Sequence, residues 1–327
     1  MIGIFKQKNQ GNALLLLLYG LFLKFPVFLH PLKPSPDQRD SYLYRLLTGF
    51  LDPLIGGTPV IYSLLAFLLL FTQATLLNRI SNSLKLFPKQ HYLVGMSFLL
   101  LSSLMKEWSA FSAPLLVNSL LVWIWYRLIS LYNNNNPKAS IFDVAVLIGL
   151  LPLIYSPAIA FVFLLLLALI VTRPLRVTEW IVALLGLITP YYFLFVILFL
   201  GDQWKWSKIT PSVVFNMPGH PSMWLTASIV ILALPFFPGG YYVQSNLNKM
   251  MINIRKAWSL MLLFLIVSLF VLVLNSGKDH LNWMLVLIPL STFHSAMYFY
   301  LPSRWLALLF HWVSFIFSIV VNYSVFR

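Results

Sequence analysis

The chain has 327 residues, 60% of them hydrophobic and only 9% charged, with no cysteine. That balance leaves too little polar surface for a soluble domain, and the missing thiols exclude a disulfide framework or a thiolate metal site. The formal charge of +14 comes from Lys and Arg scattered singly among loops, without a basic stripe interleaved with aromatics. This argues against nucleic acid as a partner and fits the positive-inside bias of membrane proteins.

Apolar stretches long enough to cross a bilayer recur along the whole chain, since about 20 helical residues span about 30 Å of hydrocarbon. They predict an all-α polytopic bundle of about eleven transmembrane spans, a single integral membrane domain over residues 1–327. The first span covers 12–30. Lys6 and Lys8 precede it as in a signal peptide, but no small-residue cleavage site follows, so it reads as a retained span.

Residues 31–58 form the first loop. The prolines between His30 and Asp37 impose an extended path. After Asp37 the pattern turns helical, with Leu43, Leu46, Leu47, Phe50, Leu51 and Leu54 on one stripe and Ser41, Arg45, Thr48 and Asp52 opposite. With Asp40 or Ser41 as N-cap, this predicts an amphipathic helix lying in the membrane interface.

Further spans follow at 59–78, 91–106 and 109–131, with Lys106-Glu107-Trp108 at the turn between the last two. The spans at 141–155 and 156–172 meet between Pro152 and Pro157, which predict a break or a re-entrant pair. The remaining spans are 178–200, 223–240, 257–275, 281–301 and 305–325. The loop before 281 carries Lys278-Asp279-His280. Tryptophans such as Trp108, Trp125, Trp258 and Trp305 fall near proposed span ends, where an interfacial belt expects them. There is no internal repeat and no pair of glycines four apart.

Thirteen Lys and Arg fall on the N-terminal side and eight on the other, which predicts a cytoplasmic N-terminus and an outer C-terminus. Six of the eight acids, Asp37, Asp40, Asp52, Glu107, Asp202 and Asp279, then gather at the outer face.

No phosphate-cradling glycine loop, helical zinc-histidine pair or nucleophile elbow is present. The candidate catalytic residues are Asp37, Asp40 and Glu107. An outer carboxylate there suits a general base, or a ligand for a divalent cation beside a phosphate leaving group. No metal ligand set or cofactor follows from the sequence beyond that. Arg39, Arg45, Lys278 and His280 are candidate phosphate and lipid-headgroup donors. The ordinary alternatives are a helix cap, loop charges and headgroup snorkelling. Lys24, near the outer end of the first span, suits snorkelling, and Gln73, Asn118 and His294 suit hydrogen bonds between helices.

A first span leading to an outer loop with Asp37 and Asp40, a horizontal helix, and Glu107 on the next outer loop resembles the GT-C superfamily of polytopic glycosyltransferases. The resemblance covers residues 12–172 as a GT-C-like module, with 173–327 as additional spans. It implies a polyprenyl-phosphate-linked sugar as donor, Asp37 or Asp40 as the first-loop acid and Glu107 as the second. The family's adjacent acidic pair and large soluble domain are absent. The short Phe-Lys start is also similar to a family of uncharacterised bacterial inner-membrane proteins. The alternatives are a non-catalytic subunit of an inner-membrane complex, in envelope biogenesis or protein export with protein partners, and a transporter.

Overall fold

A computed structural model describes residues 2–9, 11–34, 37, 39–134, 136–211, 222–274 and 280–323. Among these residues there are thirteen α-helices and no strand. They are α1 (Ile2–Phe5), α2 (Gly11–Leu29), α3 (Tyr42–Ile55), α4 (Pro59–Ser83), α5 (Leu93–Leu101), α6 (Ala113–Ser130) and α7 (Pro137–Ile154). Then come α8 (Phe161–Thr172), α9 (Val177–Leu200), α10 (Met223–Asn246), α11 (Ile252–Val271), α12 (Leu287–Tyr300) and α13 (Arg304–Tyr323).

Eight helices, α2, α4, α6, α7, α9, α10, α11 and α13, are long and apolar enough to cross a membrane. The chain is therefore a multi-pass membrane protein. The other three expected spans are short helices, α5, α8 and α12. α8 and α12 are lengthened by 3-10 turns at Ser156–Ala160 and His280–Val286. The segments that flank these short helices meet other elements at the two ends of the bundle. At the N-terminal end the Tyr92 amide meets the Phe5 carbonyl at 2.7 Å, and Lys6 meets the Phe299 carbonyl at 2.8 Å. At the distal end the Trp108 indole donates to the His280 carbonyl at 3.0 Å, and Asp40 pairs with Tyr155.

A bilayer tolerates a short or irregular segment only where protein surrounds it, because lipid offers no hydrogen bonds to free backbone groups. Every residue of α5 is buried, as are Leu287–Tyr298 of α12, and the two helices pack on each other at the centre. Where α5 ends, its own last carbonyls are taken by the turn that follows, and side chains of three other helices satisfy the carbonyls of that turn. Lys24 of α2 donates to the Ser102 carbonyl at 2.6 Å. Ser318 and Asn322 of α13 donate to the Ser103 carbonyl at 2.8 and 2.6 Å, and Ser228 of α10 to that of Leu104 at 3.4 Å. Lys24 is thus 2% exposed and turned inward, where the sequence had suggested snorkelling. Gln73 to Leu115, Asn118 to Met284 and His294 to Leu232 bond between segments as expected.

The break between α7 and α8 falls at Tyr155, whose backbone is extended, with Pro157 in the following 3-10 turn and Pro152 inside the last turns of α7. Helix α3 forms with Ser41 at its N-cap, although the Ser41 side chain makes no capping bond. Its apolar stripe divides: Leu47, Leu51 and Ile55 pack on the bundle while Leu46, Phe50 and Leu54 face outward. Trp108, Trp125 and Trp258 are core residues rather than interfacial ones, whereas Trp206 and Trp305 remain exposed.

Close helix packing uses single glycines offered from opposite sides. A methyl on Gly149 of α7 would lie 2.5 Å from the Leu187 carbonyl of α9, and one on Gly186 of α9 would lie 2.6 Å from Ala145 of α7. At the N-terminal end, buried Glu179 accepts two bonds from Arg173, and Arg173 also donates to the Leu131 and Asn134 carbonyls.

Two outcomes are expected. Gly149→Ala and Gly186→Ala each force α7 and α9 apart and cost about 1–3 kcal/mol, read as a lower unfolding midpoint in detergent. Glu179→Gln strands the Arg173 charge among carbonyls and costs about 3–5 kcal/mol in the same measurement.

Candidate functional site

Pro31 and Pro34 lead the chain away from α2 in an extended path, and the loop then folds back on itself through its charges. Asp37 pairs with the guanidinium of Arg39, whose Nε lies 2.5 Å away. Arg39 is buried and reaches Asn282 Oδ1 at 3.4 Å, an oxygen that also accepts from the Tyr155 hydroxyl. Three segments far apart in sequence therefore meet at one amide. The backbone completes the junction: Ser156 N–H donates to the Arg39 carbonyl at 3.0 Å, and Ser41 N–H to the Ile154 carbonyl at 3.1 Å. The Ser41 and Ser156 hydroxyls lie 2.8 Å apart, and Arg45 holds the Asp37 carbonyl at 3.1 Å.

This junction fixes Asp40. Its Oδ2 accepts the Asp37 amide at 2.7 Å, and its side chain has no cationic partner within ion-pair distance among the described residues. Asp40 is 7% exposed yet lines two cavities. One, of about 330 Å³, is bounded by Ser41, Arg45, Ser156 and Lys208. The other, of about 310 Å³, is bounded by Lys33, Asp37, Tyr44 and Glu107. Burial pushes the Asp40 carboxyl up to about 6, opposed by the Asp37 amide and reinforced by the Asp37 charge, with Arg45 and Arg39 pulling it back down.

Asp37, Asp40 and Glu107, the acids singled out in the sequence, share the second cavity. Glu107 is exposed at its rim and makes no ion pair among the described residues. No group of three His, Cys, Asp or Glu converges as a metal site among the described residues, so the divalent-cation expectation gains no support. Of the candidate phosphate donors, Arg39 is committed to Asp37 and Asn282, while Arg45 faces the first cavity beside Lys208. His280 meets this region through its carbonyl, which accepts from Trp108. Lys278 lies outside the described residues. Tyr155, Ser156 and Asn282 escaped the sequence reading because uncharged residues at a span end carry no local signal. Only the long-range junction gives them a role.

A family model matches residues 43–326: DUF6427, a family of unknown function. The match takes in Arg45, Glu107, Ser156 and Lys208, and it begins after Asp37 and Asp40. No curated protein and no solved structure matches the chain.

Because folding raises the Asp40 pKa, its protonated form is the one the fold favours. Its contribution to stability is fully present below the ordinary carboxyl range and is lost as pH rises through about 6. Difference infrared spectroscopy of the detergent-solubilised protein should therefore show a carboxylic C=O band that disappears across pH 6 and is missing from Asp40→Asn.

Proposed function

The chain belongs to the DUF6427 family, whose function is unknown, and from that premise we propose that its distal end is the active site of a GT-C-like glycosyltransferase using a polyprenyl-phosphate-linked sugar. One observation carries the reading: Asp40, a buried carboxyl with a pKa raised to about 6, stands on the wall common to two cavities. A general base works best with a pKa near the operating pH, and a base between two compartments can serve a donor in one and an acceptor in the other.

In this reading the donor's phosphate lies in the first cavity against Arg45 and Lys208, and the acceptor enters the second beside Glu107. The acceptor hydroxyl or amide attacks the sugar carbon bonded to phosphate. Asp40 takes the acceptor's proton, the carbon–oxygen bond to phosphate breaks, and the polyprenyl phosphate leaves with the electron pair, its charge met by Arg45 and Lys208. Glu107 orients the acceptor. The exposed Leu46, Phe50 and Leu54 of α3 offer an apolar surface for the lipid tail at the same level. The excess of Lys and Arg at the N-terminal end supports a cytoplasmic N-terminus, with the active site then at the outer face of a bacterial inner membrane.

The test begins with native mass spectrometry of the protein from its own membrane in mild detergent, where a bound polyprenyl phosphate is expected and its loss in Arg45→Ala/Lys208→Ala. With a polyprenyl-phosphate hexose as donor, Asp40→Asn should lower transfer by about 10²–10⁴-fold without lowering the unfolding midpoint. Full activity in both Asp40→Asn and Glu107→Gln overturns the assignment. A stoichiometric protein partner with no lipid would instead make the chain a subunit of an envelope or export complex.

A further inference from the structure

At the N-terminal end, opposite Asp40, three cations lie near one another with no acid among them. Lys6 is in the turn after α1, Lys89 in the connection between α4 and α5, and Arg304 at the start of α13. The Lys6 amine is held below the ordinary lysine range by burial first, then by the charges of Arg304 and Lys89. Its anchors are uncharged: the Phe299 carbonyl at 2.8 Å and the Phe299 ring at 5.2 Å. Among the described residues every ion pair is made by Arg39, Arg173 or Arg176, so none of the three cations has a carboxylate. Like charges gathered without a counter-charge cost free energy, and a bound anion removes that cost.

The place for the anion is a cavity of about 430 Å³ lined by Lys6, Gln7, Arg304 and the first turn of α13, whose helix N-terminus adds partial positive charge. Tyr298 lines it too, 2% exposed and with no hydrogen-bond partner for its hydroxyl. Ile2 and Leu308 make the remaining wall apolar. On the other side of α1 a second cavity, of about 440 Å³, runs between α2 and α13 and is lined by Ile4, Leu18, Phe22 and Phe315 with almost no polar atoms. The four-residue helix α1 thus has a cationic cavity on one side and an apolar groove on the other.

We propose that this end of the bundle binds an anionic phospholipid, its phosphate between Lys6 and Arg304 and an acyl chain in the apolar groove between α2 and α13. Charge complementarity selects the phosphate and the adjoining groove selects a lipid over a soluble anion. The bound lipid fastens α1 to the ends of α12 and α13. The site shares no residue with the distal cavities and stands whether or not the protein is a glycosyltransferase.

The experiment titrates the full-length protein in detergent with palmitoyl-oleoyl phosphatidylglycerol, palmitoyl-oleoyl phosphatidylcholine, or inorganic phosphate, and reads bound mass by native mass spectrometry. Phosphatidylglycerol should bind at least tenfold more tightly than phosphatidylcholine. Each cation contributes roughly fivefold near a membrane surface, so Lys6→Gln/Arg304→Gln should weaken phosphatidylglycerol by about 25-fold and leave phosphatidylcholine unchanged. Arg304→Gln alone, at an exposed position, should give about a fivefold loss with an unaltered unfolding midpoint in lipid-free detergent. Equal binding of the two lipids, or undiminished phosphatidylglycerol binding in a folded Arg304→Gln protein, overturns the proposal. Displacement of phosphatidylglycerol by millimolar inorganic phosphate would overturn its lipid half and leave a soluble phosphate as the ligand.

Discussion

The end of α5 is the constraint on which the rest of the structure depends. A nine-residue helix covers about 14 Å, roughly half the hydrocarbon thickness, so the turn that follows it leaves the carbonyls of Ser102, Ser103 and Leu104 where no water can reach them. Lys24 of α2 bonds the Ser102 carbonyl, Ser318 and Asn322 of α13 that of Ser103, and Ser228 of α10 that of Leu104. Those three helices must therefore converge there. Helices α2 and α13 are fastened to the middle of the chain by hydrogen bonds that become worth more as water is excluded.

The irregular backbone that this convergence permits is also what builds the distal end. The chain after α5 turns through Ser102–Ser112 inside the protein, bringing Glu107 to the rim of a cavity whose opposite wall carries Asp37 and Asp40. The break at Tyr155 does the same on the other side, since its extended backbone pairs with Asp40 and leaves Ser156 beside Ser41. A bundle of uninterrupted helices would present only loop tips at this end. Here three interrupted passes supply a walled site in which a carboxyl can be buried and its pKa raised.

Much of the fold is legible in the sequence because the bilayer imposes a single strong requirement. Apolar length predicts the passes, the Pro152–Pro157 pair predicts the break between α7 and α8, and the spacing of Leu43, Leu47 and Leu51 predicts α3. Helix packing is not legible in the same way. A search for glycines four apart looks within one helix, whereas Gly149 and Gly186 come from two helices and each receives the backbone of the other. The tryptophans mislead for a related reason. A ring near a span end suits the interface equally well as the core, and only the neighbours of Trp108, Trp125 and Trp258 bury them.

By itself the sequence determined that the chain crosses a membrane many times, where the long apolar helices fall, and that Asp37, Asp40 and Glu107 belong to loops of one end. These follow from composition and periodicity, which are local properties. Tertiary structure decided that Lys24 turns inward to a helix end, that Arg39 is spent on Asp37 and Asn282, and that Asp40 rather than Asp37 stands between two cavities. It also brought Lys6 and Arg304, almost a whole chain length apart, to one cavity. Charge and hydrogen-bonding capacity are written in each residue, but which groups share a space, and hence which are neutralised or left without a partner, depends on the packing of helices distant in sequence.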